Sequence, residues 1–134
     1  MRKIAAILAV ISLFAVIASN ASAMRGQMKG QAAITGSLDN QTITVSGSVF
    51  FGANEDDAVV CLTATQNGHK ARGCSPTLSY SASEVMFGAT LTGSGFVPGK
   101  SALRAVVTYD YYSGAGEQEK TWTWNNNGFM LVAG

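Results

Sequence analysis

Apolar and polar residues alternate with a period of two along most of the chain after residue 24, and no stretch there keeps a helical period. Because successive side chains of a β-strand point to opposite faces, this pattern predicts strands with one buried and one solvated face. Gly, Asn and Asp interrupt the alternation at intervals, as turns between short strands do. The sequence therefore predicts an all-β fold, a small antiparallel β-sandwich of about eight strands.

The first predicted hairpin covers residues 31–49 and turns at Asp39 and Asn40, residue types that tolerate positive φ. With a two-residue turn at that point, Ile34 lies opposite Val45. One face of the hairpin is then apolar and the other carries hydroxyl groups, so the predicted register agrees with the hydrophobic pattern.

The second predicted hairpin contains both cysteines of the chain. Its strand at 58–65 leads to Asn67-Gly68, a favoured type I′ turn. Counting outward from that turn places Cys61 opposite Cys74 on a non-hydrogen-bonded pair, where Cα atoms lie about 4.5 Å apart. That distance lies at the short end of the disulfide range, so we predict a Cys61–Cys74 bridge that contributes about 3 kcal/mol of stability. The bridge is interpreted as a structural staple.

The remaining strands are predicted from the same alternation, at 77–82, 85–92, 101–112, 117–125 and 129–132. The loop at 113–116 places Trp122 opposite Val107. It likewise places Trp124 opposite Ala105. The last strand is apolar on both faces, so it is either a covered central strand or an edge that pairs with another subunit. We favour the covered strand.

Residues 98–124 allow a comparison with a known fold. Pro98-Gly99 forms a turn, an alternating strand follows and ends near Asp110, and a Gly-bearing loop leads to the next strand. This segment resembles strands F and G of bacterial immunoglobulin-like domains. The resemblance implies an immunoglobulin-like sandwich, a fold used as a spacer, adhesion or binding module, and it transfers no functional residues.

The N-terminus has the three parts of a secretory signal peptide. Two basic residues precede an apolar run at 4–18, and Ala21-Ser22-Ala23 supplies the small residues of a cleavage site. A membrane anchor is the alternative, but the run is shorter than the roughly 20 residues that cross a bilayer as a helix. We expect export to the periplasm or beyond, with a signal peptide at 1–23, a flexible lead-in at 24–30 and the β-sandwich domain at 31–134.

Removal of the signal peptide changes the charge balance. The whole chain has 9 Lys+Arg and 8 Asp+Glu; without Arg2 and Lys3 the balance is 7 against 8, a net charge of −1 (7 − 8). A strongly basic balance would favour nucleic acid, and this balance does not. No later segment is apolar enough to span a membrane. We therefore expect a protein or glycan partner and no cofactor.

The only histidine of the chain, His69, lies beside the turn of the second hairpin. A Ser-His-Asp arrangement needs its histidine in a cleft beside a constrained serine, and hairpin tips rarely supply one. We therefore expect no catalytic activity. Glu55, Asp56 and Asp57 concentrate oxygen ligands in one loop as a candidate calcium site, but their spacing favours a solvated acidic turn.

Four aromatic residues are candidates for a sugar-binding face: Tyr111, Tyr112, Trp122 and Trp124. Their rings would cover the apolar faces of pyranoses. The alternative is that both tryptophans fill the core, since large aromatic side chains dominate small cores. The predicted register favours the core for the tryptophans, whereas the tyrosines lie nearer the loop and are the better candidates for exposure.

The tip of the disulfide hairpin is the other candidate surface, with Asn67, His69, Lys70 and Arg72 as partner-contact residues. Lys70 and Arg72 share the face of the disulfide and offer a rim to a protein or acidic glycan, although a solvated face is the more common role of such a pair. The sequence thus predicts an exported, non-catalytic binding or structural interaction module. Two alternatives stay open: a carbohydrate-binding module that uses the aromatic face, and a small secreted inhibitor that presents the stapled hairpin to an enzyme.

Overall fold

The computed structural model describes residues 24–134, so the expected signal peptide at 1–23 lies outside the described residues. The predicted all-β class is confirmed. The described residues form eight strands: β1 (Arg25–Met28), β2 (Gln31–Ser37), β3 (Asn40–Phe50), β4 (Glu55–Gln66), β5 (His69–Cys74), β6 (Glu84–Gly93), β7 (Gly99–Ser113) and β8 (Gly116–Ala133). No helix in this part of the chain is long and apolar enough to span a membrane.

Seven of these strands close into one ring, in the order β3, β2, β8, β7, β4, β5, β6 and back to β3. Strand β6 follows one edge of β3 along its length, whereas β2 and then β1 follow the other edge. The fold is therefore a single closed sheet, in place of the two-sheet sandwich that the sequence predicted. Buried and exposed positions alternate in both architectures, so the hydrophobic pattern does not distinguish them.

The first hairpin forms, but its predicted register is wrong by two residues. The turn falls at Leu38 and Asp39, and Ile34 lies opposite Ile43 in place of Val45. A shift of two residues keeps every side chain on its predicted face. Ile43 and Val45 are both fully buried, which is why the pattern did not separate the two registers.

The second hairpin forms in the predicted register. Strands β4 and β5 place Gln66 opposite His69 and Cys61 opposite Cys74. The two turn residues between these strands both have positive φ, 49° and 82°, as a type I′ turn requires. The predicted disulfide is confirmed, and its Cα atoms lie 4.0 Å apart.

The β7–β8 hairpin also has the predicted register, with Trp122 opposite Val107. The segments predicted as separate strands at 117–125 and 129–132 belong to one long strand, β8. Its last part lies between two neighbours, because Met130 is opposite Lys100 on β7 and opposite Gln31 on β2. The prediction of a covered final strand is confirmed.

Two further segments differ from the predictions. The expected flexible lead-in at 24–30 contains strand β1. Met24, just before this strand, is 2% exposed because its side chain packs in the hydrophobic core. Residues 77–82 form no strand apart from one bridge between Ala58 and Leu78. Pro76 has no N–H to donate, and the N–H of Tyr80 binds the Asp56 carboxylate, so the backbone here takes partners outside a ladder.

The inner faces of the strands meet in one core. Its fully buried members come from every part of the ring, among them Ile43, Val60, Leu62, Leu91, Leu103, Val107 and Phe129. A closed sheet buries its apolar face against itself and needs no second layer. Its outer face is therefore left accessible, and polar side chains collect there.

Candidate functional site

A groove of about 290 Å³ lies on the outer face of the barrel, across strands β5, β4, β7 and β8. These strands are neighbours in the ring, so side chains that are distant in sequence come together on one surface. The groove is lined by Thr63, Thr65, Lys70, Arg72, Ala102, Leu103, Arg104 and Asn125. We call this surface the basic groove.

Strand register builds the main row of the basic groove. Thr63 on β4 is opposite Arg72 on β5 and, across its other edge, opposite Arg104 on β7. Arg104 is in turn opposite Asn125 on β8. Neighbouring strands are about 4.8 Å apart, so this row of four side chains extends for roughly 15 Å across the strands.

A second, shorter row lies beside the first. Thr65 is opposite Lys70 on one side and opposite Ala102 on the other. The small side chain of Ala102 leaves space at that end of the row, because nothing larger than a methyl group projects from its position. The two rows together place three cationic side chains around two threonine hydroxyls.

The charge of the basic groove is uncompensated. Its lining includes Lys70, Arg72 and Arg104 and no carboxylate. Within the described part of the chain these three side chains make no hydrogen bond or ion pair. An anion that entered the groove would therefore meet donors that have no competing partner.

The disulfide hairpin positions one side of the groove. Cys61 and Cys74 form the cross-strand pair next to that of Thr63 and Arg72, on the same outer face. Gly73, between Arg72 and Cys74, packs against the backbone of β6, where a Cβ atom would lie 1.9 Å from the carbonyl oxygen of Thr90. Only glycine fits that approach, so the groove wall is fixed to both of its neighbouring strands.

The four residues predicted at the hairpin tip have different environments. Lys70 and Arg72 line the basic groove. Asn67 occupies the turn itself, and His69 packs its ring against Phe96, with 6.4 Å between the ring centroids. Arg104, which completes the groove, was not among the predicted site residues.

The four candidate aromatic residues do not share one face. Tyr111, predicted to be exposed, is instead inward-facing and buried, because it shares the inward side of β7 with Tyr109. The ammonium group of Lys120 lies 4.3 Å from its ring centroid. Tyr112, the next residue along β7, is 41% exposed on the outer face. Trp122 and Trp124 are half-buried and pack against the core from the inward side of β8, in agreement with the interpretation favoured from the sequence.

The two tryptophans form a tilted ring pair on β8. Their ring centroids lie 5.0 Å apart, with 34° between the ring planes. The indole of Trp124 lies against Gly26 of β1, so closely that a Cβ atom at Gly26 would be 2.4 Å from its ring. The indole N–H of Trp124 is buried without a hydrogen-bond partner in the described residues.

The acidic loop does not assemble as the candidate calcium site. Glu55 points inward, is 2% exposed and accepts a hydrogen bond from the N–H of Gly52. Asp56 accepts hydrogen bonds from the N–H groups of Asp57 and Tyr80. Among residues 24–134 no group of three His, Cys, Asp or Glu side chains is arranged to hold a metal ion.

Carboxylates instead cluster on the outer face at the opposite end of the β7–β8 hairpin from the groove. Repulsion from Asp56, followed by desolvation and the nearby Asp110, raises the pKa of Asp57. Asp110 also raises the pKa of Glu117, with a smaller contribution from desolvation. We call Asp56, Asp57, Asp110 and Glu117 the acidic cluster.

Comparison of the chain with protein-family models, with curated proteins and with solved structures gives no match. The immunoglobulin-like resemblance therefore stays a prediction. The fold and the groove define an all-β protein with a cross-strand disulfide and a cationic groove whose lining contains no carboxylate.

Proposed function

We propose that this protein is an exported, non-catalytic binding module and that its basic groove binds an acidic polysaccharide. The observation that carries the proposal is the row of Arg72, Thr63, Arg104 and Asn125, in which two guanidinium groups flank a hydroxyl and no carboxylate compensates them.

The chemistry of the row suits sulfate or carboxylate groups along a sugar chain. Guanidinium groups present paired N–H donors that match such anions in a bidentate way. The hydroxyls of Thr63 and Thr65 and the amide of Asn125 offer hydrogen bonds to the sugar hydroxyls between the charges. The row of side chains crosses four neighbouring strands, as the binding of a polymer that runs across the strands requires.

The disulfide supports the exported setting of this proposal. Disulfides form and persist in oxidising compartments, so Cys61–Cys74 indicates such an environment for the folded chain. The expected signal peptide at 1–23 agrees with export. Acidic polysaccharides are abundant outside cells, where such a domain would meet them.

The lining of the groove supports a non-catalytic role. None of its eight residues is His, Asp, Glu or Cys, the side chains that most often supply a general acid or base. His69 lies outside the groove and packs on Phe96. The groove offers binding groups and no proton-transfer pair.

The test is a binding titration of the purified protein with heparin, a sulfated polysaccharide, and with uncharged dextran. We expect heparin to bind, with affinity that falls as salt screens the charges, and dextran not to bind. Hydrogen bonds to charged groups contribute about 1.5–3 kcal/mol each, so Arg72→Ala and Arg104→Ala should each weaken heparin binding by roughly 10- to 100-fold.

Arg25→Ala and Lys29→Ala are the matched controls. Each removes the same single charge, but Arg25 lies over the Phe50 ring and Lys29 lines a separate groove that also contains Glu84. Equal losses from the control and groove variants would show that net charge alone drives binding and would overturn the proposal. Cleavage of the polysaccharide during the titration would overturn its non-catalytic part.

A further inference from the structure

Strand β8 has one unpaired edge. Residues 116–126 pair with β7 along one side, and within the described residues no strand pairs with their other side. Only the last part of β8 gains a second neighbour, where residues 130–133 pair with β2. An open edge of this length presents a row of N–H and C=O groups to which another strand can add.

An irregularity in β8 leaves this edge open. The register with β7 shifts between Ser101 and Leu103, so one extra residue of β8 lies between Asn126 and Phe129. Such a bulge bends a strand and separates its two halves. Strand β1 does not take the vacant place: it pairs with β3, and its Gly26 touches the indole of Trp124.

Hydrogen-bond alternation identifies the groups on the open edge. Ser113 and Gly116 flank the two-residue turn and form a hydrogen-bonded pair with each other. Pairs alternate outward from there, so Glu117, Thr121 and Asn125 direct their backbone N–H and C=O groups away from β7. Their side chains lie on the outer face.

The outer face has two ends of opposite charge, and neither is neutralised within one copy. The basic groove makes no ion pair in the described residues, and no Lys or Arg side chain there forms an ion pair with the acidic cluster. Glu117 belongs to the acidic cluster at one end of the open edge. Asn125, at the other end, lies next to Arg104 of the basic groove.

We propose that two copies of this chain pair antiparallel through the open edges of β8, with Thr121 opposite Thr121 of the other copy. This register places Glu117 of each copy opposite Asn125 of the other, next to Arg104. The pairing thus places the acidic end of one copy against the basic end of the other, twice by symmetry.

The same register avoids the like-charge pairs that other registers create. Centring the pair on Glu119 would set two glutamates opposite each other, and centring it on Lys120 would do the same with two lysines. With Thr121 at the centre, Lys120 lies opposite Trp122 of the other copy, where a cation and an indole attract. Self-complementarity of charge therefore favours a second copy over an unrelated strand.

The test is sedimentation of the purified protein, without polysaccharide, over roughly a hundredfold range of concentration, where we expect a monomer–dimer equilibrium. Thr121→Pro removes an N–H on the open edge and none that bonds to β7, so we expect it to raise the dissociation constant of the dimer by roughly tenfold or more. Thr121→Lys should act in the same direction. Thr44→Lys is its matched control, because Thr44 is exposed on β3 but has strands on both sides.

A charge exchange tests the register. We expect Glu117→Arg and Arg104→Glu each to weaken the dimer and the double variant to restore it. A protein that stays monomeric at every concentration overturns the proposal. That outcome would leave the open edge to a strand of another protein. So does a dimer that Thr121→Pro and Thr121→Lys leave unchanged while circular dichroism shows a native fold. Because no ligand is present, these outcomes do not depend on heparin binding.

Discussion

Gln41 and Phe96 are joined by two reciprocal hydrogen bonds. The Nε2 of Gln41 donates to the carbonyl oxygen of Phe96, and its Oε1 accepts from the Phe96 N–H. The donor–acceptor distance is 2.8 Å in both hydrogen bonds. Gln66 holds the next residue, Val97, in the same reciprocal way. Two glutamines on different strands thus substitute for a ladder and hold the loop at 94–98, so that the Phe96 ring, 1% exposed, joins the core.

Replacing Gln41 by alanine should cost a large part of the stability of the fold. The substitution leaves the N–H and C=O of Phe96 buried without partners, at about 1–3 kcal/mol for each group. We expect the free energy of unfolding to fall by about 2–5 kcal/mol in a urea titration. Gln27→Ala, at an exposed position of β1, is the control and should change it by less than about 0.5 kcal/mol. Equal effects of the two variants would contradict the role of the glutamine.

Removing the disulfide should destabilise the protein without changing its register. The bridge closes a short loop, with a sequence separation of 13, for which about 3 kcal/mol of stabilisation is expected. We expect Cys61→Ala/Cys74→Ala to lower the free energy of unfolding by about that amount. The Asn67-Gly68 turn and the pairing of β4 with β7 remain, so the far-ultraviolet circular dichroism should stay native. Loss of the β-sheet spectrum in the double variant would contradict this prediction.

The two hairpins whose register was predicted correctly are those in which the turn sequence is recognisable from its residue types. Asn67-Gly68 requires one turn type, and the glycine-bearing loop before β8 admits one register. The first hairpin has no such turn sequence at Leu38 and Asp39, and its apolar residues tolerate a slip of two positions. Turn chemistry therefore decided which local registers could be predicted.

The long-range pairs could not be predicted in this way. The pairing of β4 with β7, which brings Arg104 beside Thr63, joins strands that are about 40 residues apart, and hairpin geometry does not constrain it. Two of the three cationic residues of the basic groove, Lys70 and Arg72, were predicted because they belong to one hairpin. The third, Arg104, joins them through the pairing of β4 with β7, which the alternation of side chains leaves undetermined.

The acidic cluster should make stability depend on pH. Repulsion raises the pKa of Asp57 in the folded protein above its ordinary value, so the folded state binds the proton more tightly than the unfolded chain does. Stability is then lost as the pH rises through the raised pKa and is regained as the pH falls toward the ordinary carboxyl range. We expect Asp57→Asn to raise the Tm at neutral pH and the gain to shrink in mild acid.

A matched variant tests whether this gain comes from the cluster. Glu84→Gln removes one negative charge from the start of β6, outside the acidic cluster, so a gain of the same size from this variant would trace the effect to net charge and contradict the role of the cluster. High salt should also reduce the gain from Asp57→Asn, because it screens exposed charges. A gain that is the same at all pH values would point to the left-handed backbone of residue 57, which asparagine tolerates well, and would contradict the electrostatic cause.

The absence of a side chain at Gly26 allows the indole of Trp124 to pack against β1, and adding one methyl group at residue 26 should disturb this packing. A Cβ atom at Gly26 would lie 2.4 Å from the indole, so Gly26→Ala must displace either the ring or β1. We expect a cost of about 1–3 kcal/mol, the usual penalty of overpacking, with red-shifted tryptophan emission and stronger acrylamide quenching. Gly30→Ala is the matched control, because no atom lies within 4 Å of the added methyl group. Emission that is the same in the two variants would mean that Trp124 does not pack against β1.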